Sequence, residues 1–422
     1  MTDDRNLIAM EQGLELFNHY ANSLNVVIVS KIKGLLDDKV LRQSLDLAQL
    51  RHPRLNSHIV GSLNTLKFQS EGTAKIPLQV ILNPNPEYWQ IITVNELNTR
   101  IESEKVLIRA TLLKTSQDSI FSYFITTIHH AIIDATSGIY LHSEILSLCQ
   151  EIVSDSPNIK NQKLTAYPSL EEIISNHSVE GEELPRQNKK VCTLPCEEYV
   201  PHQQRRCGLI QRQLDNHLTQ SLIKQCKHKE QVTVHGAICS AMMLALAKHI
   251  KKEKKDFYFS CRSSVDMRRR VNPPVEDKNM AMLVSALTSF HEVNEETNFW
   301  DLAKQVTLQI KARLKTPEIY KGILSYRQGA EHLLNTPKIA PFSIFVTNIG
   351  SIKIPSEYTP FQLEEISYAL STNVMGSVFG VSVSTFLSRM TLNFIYTQPL
   401  ISQKVIEKLI KNSIEYLLLS CQ

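Results

Sequence analysis

The chain has 422 residues, 42% of them hydrophobic and 21% charged, and a net charge of +4. That length allows two domains, each with its own core, and the small net charge gives no argument for nucleic acid as a partner. The acidic start Met1-Thr2-Asp3-Asp4 carries no apolar h-region, and no apolar run is long enough to cross a bilayer. Neither a signal peptide nor a transmembrane segment is therefore expected, the eight cysteines are expected as reduced thiols, and a cytoplasmic location follows.

Residues 9–24 read as an amphipathic helix and 26–32 as a β-branched strand. Asp37 or Asp38 caps a second helix that Pro53 ends, and 56–60, 65–69 and 78–82 read as short strands. Residues 106–113 and 120–128 predict an antiparallel hairpin, with a turn at Gln117-Asp118-Ser119 before its second strand. Leu141, Ile145, Leu148 and Ile152 then recur at helical spacing. From about 154 to 206 the chain is rich in Ser, Asn, Pro, Glu and Lys, with one short helix near 169–174, and reads as an interdomain linker, either packed along the surface or partly mobile, its second part the least structured. Beyond it come a strand at 209–214, a helix capped by Asp215 and reaching His228, and a buried helix at 232–250 lined with small residues. Strands at 257–263 and 283–293, a helix at 299–314 entered through Thr297, and strands at 342–348, 378–384 and 390–397 follow. Ser402 is expected to cap a terminal amphipathic helix. There is no sequence repeat, but both halves share an α+β rhythm.

The stretch Ile128-His129-His130-Ala131-Ile132-Ile133-Asp134-Ala135-Thr136-Ser137-Gly138 stands where the strand ending at 128 gives way to the following helix. Imidazole titrates near neutral pH, so it can take a proton from a hydroxyl or amine and return it to a leaving group. Neighbouring residues on extended chain point opposite ways, so one of His129 and His130 faces a given cavity and the other is structural. Asp134 either orients a ring or pairs with an arginine to hold the turn. Zinc is a further alternative for these side chains, but the histidines diverge and no fourth ligand stands nearby.

Basic clusters occur at Lys251, Lys252, Lys254 and Lys255 and at Arg268-Arg269-Arg270. Each reads either as a solvated surface or as a docking face for the phosphates of coenzyme A or an acidic carrier protein; for Arg268 an ion pair with Asp134 is equally open. Cys192, Cys196, His202 and Cys207 lie close together, but their spacing is not that of a zinc knuckle, and no metal is expected. His235 reads as a core or cap histidine and Arg389 as a surface charge.

His-His-x3-Asp resembles the signature of the chloramphenicol acetyltransferase-like superfamily, which includes condensation domains of peptide synthetases and stand-alone acyltransferases of the phthiocerol diester synthase and alcohol acetyltransferase type. Three further stretches resemble its landmarks in the expected order: 41–55 with its His-Pro turn, Val265-Asp266-Met267-Arg268, and Val346-Thr347-Asn348-Ile349-Gly350. The resemblance implies His130 as catalytic base, with His129, Asp134, Ser137 and Arg268 as motif or structural residues. Ala135 stands where the family usually has glycine, which permits positive φ and close backbone approach. Candidate oxyanion or tunnel groups are the Ala135 backbone N–H, Asn348 and Ser384; the alternative reading of Thr347 and Asn348 is that they simply terminate a strand.

The fold so implied is α+β: two chloramphenicol acetyltransferase-like α/β sandwich domains forming a pseudo-dimer around a central tunnel. Residues 1–175 form the domain with the histidine motif, 176–207 a linker, and 208–422 the domain that completes the tunnel. The implied activity moves an acyl group from a thioester to an alcohol, with no tightly bound cofactor and with acyl-CoA or a phosphopantetheinyl acyl carrier protein as co-substrate. An amide-forming condensation enzyme with an amine acceptor, a non-catalytic acyl-binding module and a purely structural or regulatory protein are the alternatives. A monomer is expected.

Overall fold

The computed structural model describes residues 3–116, 120–155, 162–175, 189–250 and 256–421. The turn expected at 117–119, the lysines at 251–255 and residues 176–188 of the expected linker lie outside the described residues. The first half contains β1 (Arg5–Asn6), α1 (Ala9–Ala21), β2 (Val26–Lys33), α2 (Asp38–Arg51), β3 (His58–Val60), β4 (Lys67–Gln69) and β5 (Leu78–Leu82). It continues through α3 (Tyr88–Leu97), β6 (Ile108–Lys114), β7 (Phe121–Ile128), α4 (Ala135–Val153) and α5 (Leu170–Ile174). The second half opens with β8 (Arg206–Leu214), α6 (Asn216–His228), α7 (Val234–Ile250), β9 (Asp256–Asp266), β10 (Val284–Asn294) and α8 (Phe299–Arg313). Next come α9 (Glu318–Leu324), α10 (Tyr326–Asn335), β11 (Ile344–Ser351), β12 (Glu357–Tyr358) and β13 (Phe361–Leu370). The chain closes with β14 (Phe379–Phe386), β15 (Arg389–Gln398) and α11 (Gln403–Leu419).

These elements build two six-stranded sheets, ordered β12-β13-β2-β7-β6-β5 and β10-β9-β11-β14-β15-β8, and a small sheet β1-β4-β3. The expected hairpin forms: β6 and β7 pair antiparallel with Ile108 opposite Ile128. β2 lies between β7 and β13, with Val26 opposite both Ile128 and Leu370. Thus β12 and β13, from the second half of the sequence, complete the sheet of the first half and bring the halves together beside the histidine motif.

Among the described residues two hydrophobic cores form. One groups Ile28, Phe124, Ile145 and Leu363 around the first sheet; the other groups Met243, Phe259, Val346, Phe394 and Leu409 around the second. Burying each such side chain contributes roughly 1.5–3 kcal/mol. α7 is buried from Gly236 to Ala247, as its small residues lead one to expect.

Helix starts follow local chemistry where a capping side chain is present. Asp37 accepts from the N–H groups of Lys39 and Val40, and Asp215 from that of Leu218. α8 is capped by Asn298, which accepts from Trp300 and Asp301, rather than entered through Thr297, whose hydroxyl instead serves the Asn294 turn. Ser402 precedes α11 but does not cap it with its hydroxyl, which bonds Glu197 at 3.2 Å. The short helices α3, α9 and α10 were not expected, and none has a side-chain cap. In the interdomain stretch, Ser169 and Glu172 form a capping box on α5. Residues 189–205 are tied to the second half, with Cys192 N–H on the Tyr258 carbonyl at 2.8 Å and Glu197 N–H on that of Leu400 at 2.9 Å. Among the described residues no helix is long and apolar enough to cross a membrane.

Candidate active site

β7 ends at Ile128 in the middle of the first sheet, and α4 begins seven residues on, so the histidine turn is held between two rigid elements. The two histidines diverge. His129 is buried; its Nδ1 accepts from the Ala131 N–H at 3.1 Å, so Nε2 carries the proton and donates to Glu15 Oε2 at 2.8 Å. Burial pushes the Glu15 carboxyl up, but hydrogen bonds from His129, Ser103 and Asn18 bring it below its ordinary value. His129 therefore pins the strand end to α1.

His130 has a different environment. Its Nδ1 lies 2.6 Å from the Ile133 carbonyl oxygen. A carbonyl only accepts, so Nδ1 carries a hydrogen, and in the neutral ring Nε2 is left with its lone pair. Burial lowers the pKa of this imidazole, against smaller raising effects from the Ile133 carbonyl and the Asp134 charge. The ring is thus neutral near pH 7 in the tautomer a general base requires.

His130 stands where two cavities meet. The larger, about 520 Å³, has Met10, Leu14 and Phe17 of α1 and Tyr326 and Leu333 of α10 on its apolar walls, with Arg262 and Thr288 on the sheet beneath. The smaller, about 110 Å³, lies against Ala135, Thr136, Thr347, Asn348 and Tyr368. His130, Ser264, Val284 and Leu370 line both. Thr136, Asp266 and Ile349 also line a third cavity of about 190 Å³, bounded by Tyr140, Arg269 and Lys353.

Asp134 pairs with an arginine and does not orient a ring. It caps α4 through the Ser137 N–H at 2.9 Å, accepts from the Leu283 N–H at 2.9 Å, and takes both Arg268 Nη1 and Nη2, at 2.8 and 2.9 Å. Arg268, 1% exposed, also reaches Asp266 Oδ1 at 3.2 Å and Ser137 Oγ at 2.6 Å. Burial alone would raise the Asp134 carboxyl; Arg268 and the two N–H groups hold it below its ordinary value, and Asp134 in turn raises Arg268. Ser137 Oγ lies 3.1 and 2.9 Å from the Asn279 and Ala281 carbonyls. Asp134, Ser137 and Arg268 thus clamp the first half to the 266–283 segment of the second. Consequently Arg268 is not available to a docking face, and Arg269 is paired with Asp277 at 3.0 Å.

Ala135 opens α4 in ordinary helical backbone and is not among the residues with positive φ, so glycine's freedom is not needed here. Asn348 lines the smaller cavity at a bulge in β11; its Oδ1 accepts from Gly350 N–H at 2.8 Å, which leaves its amide nitrogen as a donor. Ser384 is buried on β14 and lines neither cavity at His130, so the structure does not bring it to the site. Tyr368 was missed; it belongs to β13, and its hydroxyl donates to the Thr347 carbonyl at 2.9 Å. The alternation Phe361-Gln362-Leu363, broken at Glu364-Glu365 and resumed through Ile366-Ser367-Tyr368, was the available signal.

Other sequence candidates serve structure. His235 is half-buried, its Nε2 2.8 Å from Ser263 Oγ, and desolvation pulls its pKa to about 4. Cys207 is buried, its Sγ 3.7 Å from Thr372 Oγ1, and His202 Nδ1 accepts from Arg205 at 3.0 Å. Among the described residues no group of three or more His, Cys, Asp or Glu side chains is disposed to hold a metal ion.

Residues 203–395 match the family model described as the C-terminus of phthiocerol/phthiodiolone dimycocerosyl transferase. A comparison with curated protein sequences finds no match. Among solved structures, trichothecene 15-O-acetyltransferase from Fusarium sporotrichioides is 14% identical with a TM-score of 0.75, covering 99% of this chain and 95% of that one. Polyketide synthase associated protein 5 from Mycobacterium tuberculosis is 16% identical with a TM-score of 0.70, covering 99% and 97%. The first condensation domain of the CDA synthetase is 13% identical with a TM-score of 0.70, covering 99% and 96%.

Proposed function

The chain has the two-domain fold of the chloramphenicol acetyltransferase-like superfamily of acyltransferases and condensation domains, and from that premise we propose that it transfers an acyl group from a thioester to an alcohol, with His130 as general base. The observation that carries this reading is His130 itself: Nδ1–H fixed on the Ile133 carbonyl, Nε2 unprotonated, the ring at the meeting of two cavities. Separate cavities give donor and acceptor separate approaches to one nitrogen, and holding both there removes much of the entropic barrier.

His130 Nε2 takes the acceptor's hydroxyl proton as the oxygen attacks the thioester carbonyl carbon. The resulting tetrahedral oxyanion is met by a donor beside the ring, the Ala135 backbone N–H or the Asn348 amide. Collapse breaks the carbon–sulfur bond, and the imidazolium returns its proton to the thiolate. No acyl-enzyme is required, since the thioester is already activated. The donor rides on coenzyme A or on a carrier protein. The matching family and the acetyltransferase neighbour favour an ester product over an amide. Ala135 gives no conformational reason to prefer a non-catalytic binding module, because its backbone is helical.

The test is thiol release from a panel of acyl thioesters, with alcohol or amine acceptors, for wild type and His130→Ala. Acceptor-dependent release should fall by about 10²–10⁴ in the variant. An alanine variant as active as wild type would overturn the mechanism, and release supported only by amines would replace ester formation with amide formation.

A further inference from the structure

The His-Pro turn that closes α2 lines a cavity of about 190 Å³ that shares no residue with the cavities at His130. Its ionisable lining is Arg51, His52, Arg54 and Lys278 against one carboxylate, Glu144. Glu144 is already committed, to Arg51 Nε and His52 Nε2, both at 2.8 Å.

Arg54 is the unusual member. It is only 6% exposed, lies over the Phe68 ring at 4.5 Å, and gives Nη1 to the Asp3 carbonyl at 2.8 Å. Among the described residues no carboxylate pairs with it. The nearby acids are engaged elsewhere: Glu11 chelates Arg5, Asp3 holds Lys163 at 3.0 Å, and Glu172 holds Ser169. Burial, with Arg5 adding to it, pulls the Arg54 pKa down to about 10. The charges of Glu11, Asp3 and Glu172 act on Arg54 only from a distance, and a buried cation without a direct anionic partner is costly. Lys278, exposed and paired with Glu276 at 2.7 Å, and Asn279 and Tyr167 also line the cavity.

We propose that this cavity binds a small oxyanion of the phosphate class, held by the Arg54 guanidinium at its base, by Lys278 at its rim, and by Asn279 and Tyr167 as neutral donors. A planar guanidinium offers paired N–H groups that match phosphate oxygens, and the rim lysine adds a mobile charge. The occupant would join the end of α2 to the 278–280 segment, which continues into the residues gripping Ser137 and Asp134. The site stands apart from the proposed chemistry at His130.

Calorimetric titration of the full chain with inorganic phosphate, against acetate at equal ionic strength, tests this in wild type, Arg54→Gln and Lys278→Gln. Wild type should bind phosphate saturably at one site, Lys278→Gln about tenfold more weakly, and Arg54→Gln not measurably. Circular dichroism checks the folding of Arg54→Gln; Lys278 is on the surface, so its variant decides the matter if the other does not fold. Wild type that binds no phosphate, or Lys278→Gln binding as tightly as wild type, overturns the proposal. Titrating coenzyme A in parallel separates the sources: weakening by the same substitution assigns the phosphate to a nucleotide ligand, whereas loss of phosphate binding alone assigns it to the free ion.

Discussion

Replacing Arg268 by methionine should cost about 3–5 kcal/mol of stability, the usual result of stripping one partner from a buried ion pair. The structure places the loss on Asp134. That carboxylate keeps the N–H groups of Ser137 and Leu283 but loses both guanidinium bonds, at 2.8 and 2.9 Å, while it stays buried. Asp134→Ala loses the cap of α4, about 1 kcal/mol, and leaves Arg268 with Asp266 and the Ser137 hydroxyl. The double variant carries no unpaired buried charge, so its loss should fall short of the sum of the singles by at least about 2 kcal/mol. Urea unfolding followed by tryptophan fluorescence measures this, because Trp89 sits in the first half and Trp300 in α8 of the second. Additive singles, or a loss below about 1 kcal/mol for Arg268→Met, would refute the clamp as the link between the halves.

The acid limb of kcat/KM should have its midpoint below the ordinary histidine value of 6.5, because burial lowers His130 and keeps the base neutral into mildly acidic solution; a midpoint above 6.5 would contradict that assignment. Ala135→Gly should bring no gain in activity or stability, and a loss of up to about 1 kcal/mol in urea unfolding, since the helical backbone there does not need glycine. Stability should fall as the pH drops from 6.5 towards 4. Buried His142, between Ser30 Oγ and Thr126 Oγ1, is pulled down to about 3, so the unfolded chain binds its proton first, and it alone would cost up to about 5 kcal/mol by pH 3. His235 and His291, each at about 4, act in the same sense. Unfolding free energies that stay flat from pH 7 to 4.5 would exclude this.

Local pattern determined what is local in this protein. Asp37 and Asp215 cap helices where the sequence places them, and the β-branched runs at 26–32 and 120–128 are strands. The divergence of His129 and His130 follows from the alternation of an extended chain, and α7 is buried because its small residues leave no polar face. These properties depend on neighbours a few residues apart, so periodicity and capping chemistry carry them. Tertiary structure alone decided the rest. Asp134 had two open partners, and only the approach of a segment 134 residues away made Arg268 the answer. Ser384 carries the same local signature as a cavity residue, yet the order of the second sheet buries it away from His130. β13 joins the first sheet across more than 300 residues of chain, and with it comes Tyr368 beside the smaller cavity. Pairing over such separations is set by which faces remain uncovered once the cores have formed, and no window of sequence contains that information.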